Sequence, residues 1–295
     1  MATSDGSPRP DRRTHAWRED MAAEDLRGRV DAPRYVAGTP GRVTAPILAL
    51  RRQPEATSGL ETEALFGERM AVLDVADGWA WVQSARDRYV GYVMAEHISP
   101  DMIEATHRVQ ALGTFVYPTA NIKAPPTMNL PLGAEIAVAR SDGRFAELAT
   151  GGFVVTRHIA EGGRHARDFV DVAERFIGTP YLWGGRTRIG LDCSGLLQIA
   201  LEAAGIAAPR DSDLQEAALG SAVLVPQDLE GLERGDLVFW PGHVGIMVDG
   251  VMLLHANAHH MAVAVEPLRG ATERIRRTES RISAIKRLPG LSATA

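Results

Sequence analysis

The sequence predicts a multidomain chain in which two small β-barrels precede an α+β domain with helices packed on an antiparallel sheet. Three observations lead there. Between about residues 33 and 160 the apolar residues come in short, alternating, turn-bounded runs. The two halves of that stretch are alike in outline, each with an early apolar strand, a "GE" or "GAE" step (Gly67-Glu68, Gly133-Ala134-Glu135) and a late Gly-Tyr or Gly-Phe followed by Val, which reads as a tandem duplication. After about residue 165 the spacing turns helical, and beyond residue 235 it returns to strands.

In order along the chain, residues 1–32 are polar and rich in Pro, Arg and Asp, and read as a tail that orders only by lying against the body. "RVTAPILAL", "ERMAVLDV", "WAWVQSA" and "YVGYVMA" supply the strands of a first barrel over 33–100, and "TFVYPTA", "EIAVAR", "FAELAT" and "GFVVTRHI" those of a second over 101–162. "RDFVDVAERFIG" sets Phe169, Val172, Ala173, Phe176 and Ile177 on one helical face and stops at Gly178, with Pro180 beyond. Pro180, Gly184, Gly185 and Gly190 keep the next stretch non-helical, after which Leu196, Leu197, Ala200, Leu201 and Ala204 mark a second helix opened by Cys193 and ended by Gly205. "DLVFW", "HVGIMV", "VMLLHA", "AVAVE" and "ISAIKRL" complete a sheet.

Composition bounds the function. A chain of 295 residues, 45% hydrophobic and 23% charged, is globular, and a formal charge of −5 gives no basic footprint for nucleic acid. One cysteine leaves no internal disulfide framework, and no CxxC spacing suggests zinc. No apolar run approaches the roughly 20 residues of a membrane span, and "MATSDGSPRPDRRTHAWRED" has no apolar segment behind its arginines. The expectation is a cytoplasmic protein without a membrane partner. The sequence leaves its oligomeric state open.

The single thiol carries the chemistry. In "GLDCSGLLQIALEAAG" Cys193 follows an aspartate where a Gly-rich loop becomes a helix. A helix N-terminus and a neighbouring imidazolium both favour the thiolate. His243 in "PGHVGIM" and His255 in "LLHANAHH" are the strand-borne candidates, with His243 as general base and His255 holding its ring, the layout of papain-like catalysis. Strand parity sharpens this. A two-residue Asp249-Gly250 turn would put the two histidines on opposite faces. A three-residue loop Val248–Gly250, with Gly250 left-handed, pairs Met247 with Val251 and His243 with His255. His259 and His260 read as loop or rim residues, and the Cys193 N–H is the natural oxyanion donor.

"LDCSGL", "GDLVFW" with "HVGIM", and "LLHA" resemble the three motifs of the NlpC/P60 cysteine peptidases over about residues 163–290, and the duplicated β region resembles the bacterial SH3 domains that precede such domains in γ-D-glutamyl-L-diamino acid endopeptidases. The resemblance implies Cys193 as nucleophile, His243 as base and His255 as third member, and no metal or organic cofactor. It implies hydrolysis, through a thioester, of the γ-D-glutamyl bond to a diamino acid in murein peptides that carry a free N-terminal L-Ala. It places Tyr181, Arg210, Ser212 and Gln215 near the site, and the ammonium on Asp192, Ser194, Tyr89 and a glutamate of the first barrel. Glu68 is preferred there over Glu61 and Glu63. Trp183 reads equally as core or as site. A related thiol amidase or transferase, or a non-catalytic wall-peptide binding module, remain alternatives.

Overall fold

The computed structural model describes residues 9–224, 228–278 and 280–289, which form two compact units, 1–104 and 105–295. In the first unit seven antiparallel strands, β1 (Thr39–Val43), β2 (Ile47–Arg51), β3 (Leu60–Leu65), β4 (Arg69–Ala76), β5 (Trp79–Ser84), β6 (Val90–Met94) and β7 (Ile98–Ser99), make one sheet ordered β3-β2-β6-β5-β4-β1-β7. Its alternate side chains, Val43, Leu48, Leu50, Met70, Val82, Tyr89 and Val93, fill the interior. The segment before it is ordered on its outside. Ala16, Met21 and Ala23 pack with Leu73 and Trp81, and the Val90 N–H donates to the Arg13 carbonyl at 2.8 Å. The apolar residues within "AWREDMAAEDL" drive this docking, a signal that the surrounding Pro and Arg hide in composition.

The second unit begins with eight short strands: β8 (His107–Val109), β9 (Gly113–Val116), β10 (Met128–Pro131), β11 (Glu135–Ile136), β12 (Val138–Asp142), β13 (Phe145–Leu148), β14 (Phe153–Val155) and β15 (Ile159–Glu161). Their pairing repeats that of the first unit. β1 pairs with β4 and β7, and β8 with β11 and β15; β2 pairs with β3, and β9 with β10; β4-β5-β6 is matched by β12-β13-β14. A 3-10 turn stands before the last strand in both, Ala95–His97 and Thr156–His158. Gly67 and Gly133 hold the same left-handed corner (φ 86° and 88°), and their N–H groups reach the carbonyls of Val43 and Val109. Ala134 thus occupies in the second half the place that Glu68 holds in the first.

Glu68 there is buried, accepts the Leu65 N–H at 3.1 Å and lies 3.3 Å from Arg86. Burial pushes its carboxyl up to about 7 against the pull of Arg86. Its folded-state value lies above the unfolded one, so its contribution to stability is full below about pH 4.5 and is lost as pH rises through 7. Glu68→Gln is expected to raise the melting temperature of the chain at pH 8 and to leave it unchanged at pH 4, which paired thermal melts would check.

The remaining elements are α1 (Phe169–Glu174), α2 (Cys193–Ala203), α3 (Ser212–Ala218) and α4 (Leu268–Arg276), with strands β16 (Ser221–Val223), β17 (Leu237–Trp240), β18 (His243–Met247), β19 (Met252–Asn257), β20 (Ala262–Pro267) and β21 (Ala284–Arg287). The six strands form an antiparallel sheet ordered β16-β21-β17-β18-β19-β20. Both α1 and α3 pack on α2, α2 lies on β18 and β19, and α4 lies on β19 and β20. α1 stops at Glu174, three residues short of the predicted end, so Phe176 stays buried while Ile177 is exposed. No helix among the described residues is long and apolar enough to cross a membrane.

Candidate active site

Cys193 is the first residue of α2 and 8% exposed. Asp192 before it is the N-cap. One of its carboxylate oxygens accepts the Gly195 N–H at 2.7 Å and the other the Gly184 N–H at 2.8 Å, which fastens the Gly184-Gly185 turn to the helix start. Arg210, 1% exposed, closes on the same carboxylate from the opposite side with bonds of 2.9 and 2.7 Å and donates to Ser194 Oγ at 2.8 Å. Gln215 of α3 donates to the Ser194 carbonyl at 2.9 Å. Arg210 and Gln215, which the resemblance places near the substrate, therefore bond the residues on either side of Cys193, and Ser212 is the buried first residue of α3. Asp192 already accepts about as many donors as a carboxylate has lone-pair sites, so an incoming ammonium would have to displace one.

The sheet supplies the histidines. In the observed register Ile246 faces Leu254 and Met247 faces Leu253, with the Val248 N–H on the Met252 carbonyl at 2.8 Å. The connection is a three-residue loop, but it is Asp249–Val251, one residue later than expected. Gly250 is not left-handed. The Asp249 carboxylate makes the turn instead, accepting the N–H groups of Val251 and Met252 at 2.8 Å each. Parity survives the shift, and the two imidazoles share a face as diagonal rather than opposed neighbours. His243 Nε2 lies 2.8 Å from His255 Nδ1. Gly250 is therefore not held by a left-handed backbone that would bar a side chain there.

Cys193 meets this row at its near end, where the Val244 N–H, next to His243, hydrogen-bonds the sulfur together with the Ser194 N–H. Burial nevertheless pushes the thiol up to about 12, Asp192 adding to it, while burial brings His243 down to about 3 and His255 below its usual value. Burial thus opposes the thiolate that the helix start favours, and it holds both imidazoles toward their neutral forms. Protonating either histidine from solvent would remove the base, and burial opposes that. kcat/KM is expected to be level from about pH 5 to about pH 9 and to fall only below that range on the acid side, read from a pH–rate profile. By the same linkage, the stability these buried imidazoles contribute is present above about pH 6.5 and is lost as pH falls.

Tyr181 is half-buried, and its phenol is raised to about 12 by burial first and then by Cys193 and Asp192, which sets it beside the nucleophile. Trp183, on the same loop, is 66% exposed and is no core residue. His260 bonds Asn257 and meets His259 edge-on, at the end of β19. In the first unit Tyr89 is 2% exposed and packs in the interior with Leu50, Val82 and Val93. Two residues were missed. Glu266 on β20 takes His255 Nε2 at 2.8 Å, and Arg274 of α4 grips both oxygens of Glu266 at 2.5 Å each. The signal for Glu266 was period-two parity: Ala264 faces His255, and Glu266 stands two residues on, on the same side.

Residues 178–280 match the NlpC/P60 family, and residues 50–98 match the bacterial dipeptidyl-peptidase SH3 domain. The chain is 26% identical over 250 residues to dipeptidyl-peptidase 6 of Lysinibacillus sphaericus, covering 77% of this chain and 90% of that protein. It is 27% identical over 223 residues to a γ-D-glutamyl-L-lysine dipeptidyl-peptidase of Bacillus subtilis (strain 168), covering 67% and 72%. A crystal structure of an NlpC/P60 family protein from Bacillus cereus ATCC 10987 matches with a TM-score of 0.70 at 19% identity, covering 84% of this chain and 99% of that one, a likeness of fold.

Proposed function

We propose, from the premise that the chain is a peptidase carrying an NlpC/P60 domain behind a bacterial SH3 domain, that it is a cysteine endopeptidase of murein-peptide recycling. Its reaction is hydrolysis of the γ-D-glutamyl bond to a diamino acid in peptides with a free N-terminal L-Ala. The observation that carries the chemistry is the diagonal His243–His255 pair on the face beneath the start of α2, with the Val244 N–H on the Cys193 sulfur. The thiol gives its proton to His243 and attacks the γ-glutamyl carbonyl. The Cys193 N–H receives the oxyanion, His243 protonates the departing amine, and water releases the L-Ala-γ-D-Glu dipeptide from the thioester. The bond cleaved is taken from the names of the relatives. The domain limits that accompany this reading are 33–100 and 101–162 for two SH3-like barrels and 163–290 for the catalytic domain. The second barrel is supported by the strand pairing it repeats.

The test is hydrolysis of L-Ala-γ-D-Glu-diaminopimelate beside its N-acetylated form. Cleavage of the free peptide alone is expected. Equal cleavage of both would replace the reading with a wall-degrading amidase, and cleavage of neither would leave a binding module.

A further inference from the structure

We infer that Glu266 and Arg274 are positioning residues that set the proton order of the histidine pair, so that His243 presents its bare Nδ1 to the Cys193 thiol. The inference rests on the cysteine-peptidase reading above. It begins with a one-way acceptor. Glu266, an ionised carboxylate held low, to about 2, by Arg274 and His255 in spite of burial, can only accept. His255 Nε2, 2.8 Å away, must then carry a hydrogen. With that hydrogen placed, a neutral His255 has a lone pair at Nδ1, and the 2.8 Å contact there obliges His243 Nε2 to be the donor. A neutral His243 with its hydrogen on Nε2 is bare at Nδ1, the nitrogen that can take the S–H proton. As that S–H bond breaks and Nδ1–H forms, the positive charge on His243 is passed by hydrogen bonds toward Glu266, and no proton needs to leave the row.

Arg274 settles the one alternative. A carboxylate facing an imidazole ordinarily encourages a second proton on the ring, which would leave the bond to Glu266 as it is and reverse the bond between the rings: His255 Nδ1–H would donate, His243 Nε2 would accept, and a neutral His243 would carry its hydrogen on Nδ1, blind to the thiol. Arg274 occupies both carboxylate oxygens, Nη1 on Oε2 and Nη2 on Oε1. It thereby cancels most of the attraction that Glu266 would exert on such a proton. The other groups facing the pair are His260, 3.8 Å from Glu266, and Asp192 at the helix start. Asp192 is itself neutralised by Arg210. Geometry explains why this row fits here: β18, β19 and β20 are adjacent, and each link runs diagonally across one strand boundary.

The direct test is nitrogen NMR of histidine in the full-length Cys193→Ala protein at pH 7, where no thiol proton confuses the reading. Bare Nδ1 and protonated Nε2 on both rings are expected. A protonated Nδ1 on His243, or a doubly protonated His255, would overturn the proposal whatever peptide the enzyme cleaves. With the thiol present, Arg274→Gln should move the acid limb of kcat/KM up by at least about one pH unit, and Glu266→Asp should recover part of the kcat lost in Glu266→Gln. An acid limb that stays in place in Arg274→Gln refutes the role of Arg274. If Glu266→Gln does not fold, the spectrum of Cys193→Ala and the Arg274→Gln profile still decide. Absence of γ-D-glutamyl hydrolysis by the wild type, with the proton order as stated, would defeat the proposed substrate and leave the row intact.

Discussion

Cys193→Ala and His243→Ala are each expected to lower kcat/KM on the γ-D-glutamyl peptide by on the order of 10³-fold or more, with circular dichroism and melting temperature unchanged. The thiol is a small buried group, and removing its sulfur leaves the Asp192 cap, the Arg210 pair and the bonds of Gln215 untouched. His243 stands at the edge of β18, half-buried, with its backbone paired to Trp240. Either loss removes a partner in one proton transfer, so the double variant should be little worse than the singles. His255→Asn should be milder, because an amide oxygen can still accept from His243 Nε2. Measurable turnover by purified Cys193→Ala would remove the peptidase mechanism altogether.

Arg210→Met is expected to have the largest effect on stability. Arg210 and Asp192 form a buried, doubly hydrogen-bonded ion pair whose side chains are 1% and 9% exposed. Deleting one charge leaves the other in a dry site and costs about 3–5 kcal/mol. Ser194 Oγ loses its donor in the same step. The urea midpoint should fall accordingly, and activity should fall with it even under folding conditions, because Asp192 also ties Gly184 and Gly195 to the start of α2. A loss below about 1 kcal/mol would mean that the N-cap alone holds the helix start. Arg210→Lys should recover the charge but not the two-point grip.

The parts of this architecture legible in the sequence are those in which a short-range pattern and the tertiary fold agree. Cys193 after Asp192 announces a capped helix because capping is local chemistry, and α2 runs Cys193–Ala203 within a residue of its apolar spacing. The strands of the last sheet could be read for the same reason, since a short continuous apolar run and burial on both faces coincide in "LVFW" and "HVGIM". The failures lie where a partner distant in sequence decides. In α4 the face Leu268, Ala271, Ile275 is diluted by Gly270 and a run of charges, and only the β19–β20 surface beneath it makes it a helix. α3 is held by Gln215 on the Ser194 carbonyl, a contact that no local pattern announces. Gly250 illustrates the limit of turn statistics, for the carboxylate of Asp249 was a cheaper route to the same reversal. Arg210 could be singled out as a candidate, but its partner could not, since only the folded chain brings position 210 back to position 192.

That the chain's only sulfhydryl stands at the head of α2 has a practical corollary. Any thiol-specific reagent has a single address, so incorporation cannot exceed one equivalent per chain, and the part of it that a substrate peptide protects against counts the sites able to bind that peptide. Mass spectrometry of the intact chain after turnover would likewise show an acylated fraction as one discrete adduct, with no second cysteine to share it.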